Sequence, residues 1–246
     1  MALRQHIPNC VTLLNLLSGS IAVLYAASDQ FVYAALFMSL GIFLDFFDGL
    51  IARMLGVQSD IGIQLDSLAD MVTSGLLPGI VMYKLMKHAL DNSEKVGWNG
   101  DQIIVPLACV GLLVTLATAY RLAKFNIDED QQTYFKGLPS PANAILIVSL
   151  TLIKEFQNFD VIENILSNYW ALVALTLLSS YMLIMPMPLF SLKFKGGGVK
   201  ANWNKYLLVS VSAILLLVFK FVAIPIIILF YVLLSVFTRQ QILSKF

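Results

Sequence analysis

Eight long apolar runs constrain this chain more than any other feature. They fall at roughly 10–28, 31–55, 61–86, 103–124, 139–156, 169–190, 206–219 and 222–237. A helix needs about 20 apolar residues to cross the hydrocarbon core of a bilayer. Inside that core every backbone amide must find its partner within the protein. The expected fold is therefore an all-α polytopic membrane protein with about eight transmembrane helices, forming one integral membrane domain over 1–246. Composition agrees: 59% of the 246 residues are hydrophobic and 13% charged, against roughly one half and one quarter in soluble domains. The net charge of +1 points to no particular partner, and the scattered basic residues give no nucleic-acid signature.

The stretch "MALRQHIPNC" runs into an apolar segment that continues to about Ala27 without a small-residue cleavage site, so it does not read as a cleaved signal. Residues 1–9 are expected as a cytosolic or interfacial lead-in. The last two runs abut at Lys220 and total some 32 residues, too long for one ordinary span. A pair of short helices over 206–237 fits best, with Pro225 just after the break; one long tilted helix is the competing reading. Lysine and arginine in short loops set orientation. With eight spans, the side of the N-terminus holds Arg4, Arg53, Arg121, Lys124, Lys136, Lys193, Lys195, Lys200, Lys205, Arg239 and Lys245, and the other side only Lys84, Lys87, Lys95, Lys154 and Lys220. Both termini are thus expected in the cytosol. "KFKGGGVK" reads as a basic loop meeting anionic headgroups. Cys10 and Cys109 fall toward opposite faces, so they are expected as buried, inert thiols and not as a disulfide.

Against this apolar background, "DFFDGLIARMLGVQSDIGIQLDSLAD" from residue 45 is anomalous. Asp45 and Asp48 are three apart, and Asp66 and Asp70 four apart, so each pair shares a helix face. A short connection makes the two helices antiparallel neighbours and lets the acidic faces meet. A carboxylate at the centre of a span costs about 2.5–3.5 kcal/mol on the insertion scale. Two divalent cations would balance Asp45, Asp48, Asp66 and Asp70, and hard oxygen ligands suit Mg2+ or Mn2+. Paired ions of this kind serve displacement at phosphorus. Gly49, Ala52 and Gly62 leave room beside them, and Arg53 offers a fork suited to phosphate. Asp60 lies off the shared face and is expected as a helix N-cap. From the carboxylates alone, ion or proton transport stands level with an enzyme.

The spacing of Asp45, Asp48, Gly49, Ala52, Arg53, Gly62, Asp66 and Asp70 resembles the signature of the CDP-alcohol phosphotransferases at all eight defining positions. The stretches "IPNCVTLLNLLSGSIAVLYA", "YRLAKFN" and "FKGLPSPANA" are similar to one branch, the CDP-diacylglycerol–serine O-phosphatidyltransferases; the likeness is strong over about the first 150 residues. The resemblance implies a six-helix catalytic core over 10–190 with the C-terminal helix pair added. It implies a two-metal Mg2+ or Mn2+ site on Asp45, Asp48 and Asp66, with Asp70 beside the metal as general base. Asp48, Gly49, Ala52, Arg53 and Gly62 then lie along the CDP moiety, with Asn15 and Ser59 as further nucleotide contacts. A serine pocket falls to Arg121, Lys124, Asn126, Ser140 and Asn143.

The reaction so implied is transfer of phosphatidyl from CDP-diacylglycerol to L-serine, releasing CMP, at the cytosolic face of a bacterial-type membrane. The partners are those two substrates and membrane lipids, and homodimers are common in that family. The nearest alternative is the same chemistry with glycerol 3-phosphate, inositol phosphate or a polyol as acceptor. A cation or proton transporter is the alternative of another class. The glycine and arginine spacing speaks against it, since ion translocation has no use for it.

Overall fold

The computed structural model describes residues 2–91, 104–127, 135–157, 159–190 and 202–238. The stretch 193–200, read as a basic loop, lies outside them.

Helix α1 spans Ala2–Ala27, so the expected lead-in is helical, and Pro8 removes one amide donor in its second turn. Its buried face is Thr12, Asn15, Ser18, Ala22 and Ala26, while Leu13, Leu14, Leu17 and Leu24 face outward. Small and polar residues inside, large apolar ones outside, is the inverse of a soluble helix and suits a lipid surround. Helix α2 spans Phe31–Leu55 and ends at Gly56, whose φ of 62° lets its amide return to Ala52 and Arg53 carbonyls, a left-handed cap that glycine adopts freely. Helix α3, Asp60–Asp70, passes without a gap through a π-helical turn, Met71–Leu76, into α4, Leu77–Asp91.

One expectation about α3 is corrected. Its N-cap is Ser59, whose hydroxyl accepts the Gly62 amide at 3.1 Å; Asp60 is the first helical residue. Serine's short side chain reaches the third amide of the helix, and Asp60 sits where the helix dipole favours an anion.

A 3-10 turn, Pro106–Leu112, leads into α5, Leu113–Ile127. Then come α6, Ser140–Phe156; α7, Asp160–Leu166; and α8, Tyr169–Ile184. Helices α7 and α8 meet at a bend of 87°. Strands β1, Phe135–Lys136, and β2, Pro188–Leu189, pair antiparallel with Phe135 opposite Leu189. Helices α9, Trp203–Phe219, and α10, Ala223–Phe237, are separated by a 3-10 turn at Lys220, where φ is 49° and ψ −122°, and they pack against each other. Gln157 fastens that turn: its amide donates to the Phe219 carbonyl at 3.1 Å and its oxygen accepts the Val222 amide at 3.2 Å.

The chain is an all-α polytopic membrane protein. All eight apolar runs contain helix, but that at 169–190 is helical only to Ile184 and then enters β2, and that from 103 becomes helical at Pro106. By length and composition five continuous helical stretches can cross a bilayer: His6–Ala27, Phe31–Leu55, Asp60–Asp91, Pro106–Ile127 and Trp203–Phe237, the last carrying the break at Lys220; the bent α7–α8 pair makes up to six. Helix α6 has 17 residues, about 26 Å at 1.5 Å per residue.

Helix α1 packs against both α2 and α3, whereas α2 and α3 scarcely approach each other. A cleft is left between them with α1 at its back. The π-turn touches α1, α2, α4, α5 and α6, and a Cβ at Gly19 of α1 would collide with Thr73 of that turn. At the other end of the bundle, Lys84 of α4 holds the α1–α2 turn. Its ammonium lies 2.6 Å from Asp29 and donates to the Ala27 carbonyl at 3.1 Å, with His88 Nε2 3.1 Å from the same carboxylate.

Candidate active site

Asp45 and Asp48 sit near the C-terminal end of α2, one turn apart. Asp66 faces them across the cleft from α3. One carboxylate oxygen from each of the three lies within 4.8 Å of the others. Asp48 is buried, 5% exposed, and its Oδ2 accepts the Thr12 hydroxyl at 2.5 Å. Asp70, one turn beyond Asp66, adjoins the Asp45 carboxylate and is within electrostatic range of Arg121. An all-oxygen anionic donor set packed this closely fits a hard divalent cation. Without one, the carboxylates repel each other in a poorly hydrated setting.

Beside the triad opens a cleft of about 670 Å³, counted with its mouth, lined by Pro8, Asn9, Thr12, Asp48, Gly49, Ala52, Arg53, Val57, Gln58, Ser59, Gly62, Ile63 and Asp66. The glycines keep it open. A Cβ at Gly62 would stand 3.3 Å from Asn9 Oδ1, and one at Gly49 would point toward the Arg53 guanidinium. Arg53 lies exposed on the rim, where a mobile cation can close over an anionic ligand.

The structure sorts the remaining candidates. Asn15 does not line the cleft: it is fully buried, and its Oδ1 accepts the Thr73 hydroxyl at 2.9 Å. Arg121 and Ser140 meet directly, the guanidinium donating to the Ser140 hydroxyl at 2.7 Å. Asn143 follows one turn later on α6 and accepts the Ser179 hydroxyl at 2.7 Å. Arg121 is 8% exposed and Ser140 and Asn143 fully buried. Among the described residues Arg121 has no ion pair, and its Nε and the Asn143 Nδ2 have no hydrogen-bond partner. A buried cation with an idle donor and no counter-ion is costly. Lys124 and Asn126 stand apart from this group. Lys124 is exposed, and Asn126 ties α5 to α3, bonding Ser67 and Gln64.

Sequence reasoning missed Asn9, Thr12, Gln58 and Ser179. Asn9 and Thr12 are three apart, on the face that continues to Asn15 and Ser18. That polar stripe along one side of an apolar helix was the available signal. Nothing local marks Ser179, which contacts the site only across the bundle.

Residues 5–180 match the CDP-alcohol phosphatidyltransferase family. The CDP-diacylglycerol–serine O-phosphatidyltransferase of Bacillus subtilis is 33% identical over 147 residues, 60% of this chain and 76% of that protein. Its namesake in Helicobacter pylori strain 26695 is 30% identical over 216 residues, 86% of this chain and 81% of that protein. The namesake in Methanocaldococcus jannaschii is 33% identical over 162 residues, 65% and 66% of the two chains. The four spaced aspartates and the cleft they border fall inside the matched span. This chain belongs to the CDP-alcohol phosphatidyltransferase family and is a membrane transferase of phospholipid biosynthesis.

Proposed function

We propose that this protein transfers the phosphatidyl group of CDP-diacylglycerol to L-serine, giving phosphatidylserine and CMP. The observation that carries the proposal is the aspartate triad on the edge of the cleft, with Asp70 beside it. Asp70 is within electrostatic range of Arg121, which is buried and has no ion pair among the described residues. The names of the relatives support serine as acceptor.

The CDP moiety lies in the cleft along Gly49, Ala52 and Gly62, with Arg53 over its phosphates and Ser59, Asn9 and Gln58 within reach of its sugar and base. Asp45, Asp48 and Asp66, with Asp70 beside them, hold a pair of Mg2+ or Mn2+ ions, which when bound neutralise the pyrophosphate charge and stabilise the leaving CMP. Thr12 fixes the Asp48 carboxylate. The Arg121 fork takes the serine carboxylate, a pairing that two parallel hydrogen bonds suit. Asn143 and Ser140 orient the remainder. Asp70 takes the serine hydroxyl proton as the oxygen attacks the phosphorus bearing diacylglycerol, because an alcohol is too weak an acid to ionise beforehand. The new P–O bond forms as the bond to CMP breaks, and the electron pair leaves with CMP. One displacement inverts configuration at phosphorus. The excess of lysine and arginine on the side of the N-terminus supports a cytosolic cleft.

The test is an acceptor screen on the purified protein. With CDP-diacylglycerol and Mn2+ or Mg2+, CMP release is expected with L-serine and not with glycerol 3-phosphate, inositol phosphate or glycerol. Release with one of those and not with serine overturns the acceptor while leaving the family chemistry in place.

A further inference from the structure

Helix α10 lies beyond residue 180, outside the span matched to the family. It nevertheless reaches the acceptor side of the site. Tyr231 of α10 is 8% exposed. Its hydroxyl donates to the Phe190 carbonyl at 2.9 Å, and its ring meets the Phe190 ring edge-on at 5.1 Å. Phe190 directly follows β2, and β2 pairs with β1. From β1 the chain turns at Gly137, whose φ is 79° and whose amide donates to the Met187 carbonyl at 3.0 Å. The next amide, Leu138, donates to the Met182 carbonyl at 2.8 Å. Two residues later Ser140 accepts Arg121. Leu138, Met182, Leu189, Phe190 and Tyr231 share one apolar cluster. The Tyr231 oxygen also lies within electrostatic reach of the Arg121 guanidinium.

We propose that Tyr231 is a positioning residue for acceptor binding, holding Arg121 in place through the strap formed by β1, β2 and residues 137–140. The proposal rests on Arg121 belonging to the acceptor subsite. A buried guanidinium with few bonds of its own can rotate, and its fork recognises a carboxylate only in one orientation. The strap fixes the Ser140 hydroxyl, Ser140 fixes one arm of the fork, and Tyr231 fixes the strap. Helix α10 thus serves acceptor recognition rather than the nucleotide.

The experiment compares the full-length protein with Tyr231→Phe, Arg121→Lys and the double variant. CMP release is measured against acceptor at saturating donor, and against donor at saturating acceptor. Tyr231→Phe removes one hydroxyl and keeps the ring. It is expected to raise the acceptor KM about two- to tenfold, the range one hydrogen bond commands, with donor KM and kcat unchanged. In the Arg121→Lys background the same change is expected to add little, because its effect passes through Arg121. Full additivity, an unchanged acceptor KM, or an equal rise in donor KM overturns the role of Tyr231. If Arg121→Lys itself moves donor KM and not acceptor KM, the acceptor subsite falls, and this inference with it. If Arg121→Lys moves acceptor KM and Tyr231→Phe does not, this inference alone fails. KM is independent of the folded fraction, so a poorly accumulating variant still gives the split.

Discussion

At the scale of single residues, the proposed function divides the four aspartates into ligands and a base. Asp66→Asn removes one of three convergent carboxylates and is expected to lower turnover by about 100-fold or more, the scale of losing a group that stabilises transition-state charge. Mn2+ titration followed by electron paramagnetic resonance should show weakened binding in the same variant. Asp70→Asn should lose comparable turnover yet retain more of the Mn2+ binding, since on that reading its task is the proton. Equal metal affinity in Asp66→Asn and the parent would remove Asp66 from the metal site. Thr12→Val keeps the shape of the side chain but deletes the 2.5 Å hydrogen bond to Asp48. Partners of this kind tune metal affinity by about 10- to 100-fold, so the activating Mn2+ concentration should rise at least to the low end of that range. The aspartates were legible in the sequence because charge is rare in apolar runs and their spacing is periodic. Thr12 was not, because a lone hydroxyl in a membrane helix ordinarily bonds its own backbone. Arg121 and Ser140 were legible as neighbours only through the resemblance; their direct bond is a matter of tertiary packing.

At the scale of elements, the bundle depends on two local devices. The first is close approach at the π-turn, where Thr73 meets Gly19 of α1 and Gly41 of α2. A side chain at Gly19 overpacks that crossing. Gly19→Val is expected to cost about 1–3 kcal/mol, read as a lowered thermal midpoint in detergent, and to shift α3 enough to weaken the triad. An unchanged midpoint would show that the helices can part without penalty. The second is Gln157, whose two bonds fasten the α9–α10 turn. Gln157→Ala leaves a carbonyl and an amide without these partners and should cost about 1–3 kcal/mol, visible as faster proteolysis near residue 220. The helical runs could be read from hydrophobicity alone. The π-turn could not, because one additional residue in a helical turn leaves the apolar pattern nearly intact. The separation of α2 from α3 was equally hidden: a short connection implies neighbours, and only the packing of α1 against both explains the gap.

At the scale of the whole molecule, the two ends of the bundle differ in kind. The far end is tied by Lys84 to Asp29 and the Ala27 carbonyl, and the site end is left open between α2 and α3. Lys84→Met leaves the exposed Asp29 without that cation and is expected to lower thermal stability by about 1 kcal/mol or less, the range for an ion pair with an exposed partner, while KM for either substrate stays as in the parent. The mouth of the cleft has a further consequence. Ile63 lines it and is 51% exposed, and Phe46, Ile61 and Leu68 on the same two helices face outward as well. The helices flanking the opening thus carry an apolar outer surface, and on the proposed reading a donor with two acyl tails arrives by sliding sideways within its own leaflet. Encounter then takes place in two dimensions. The catalyst senses how crowded the sheet is with donor, not how much donor the flask contains. Diluting a fixed amount of donor with inert detergent should slow turnover in proportion to its falling surface fraction, and a rate indifferent to that dilution would mean the donor comes in from water.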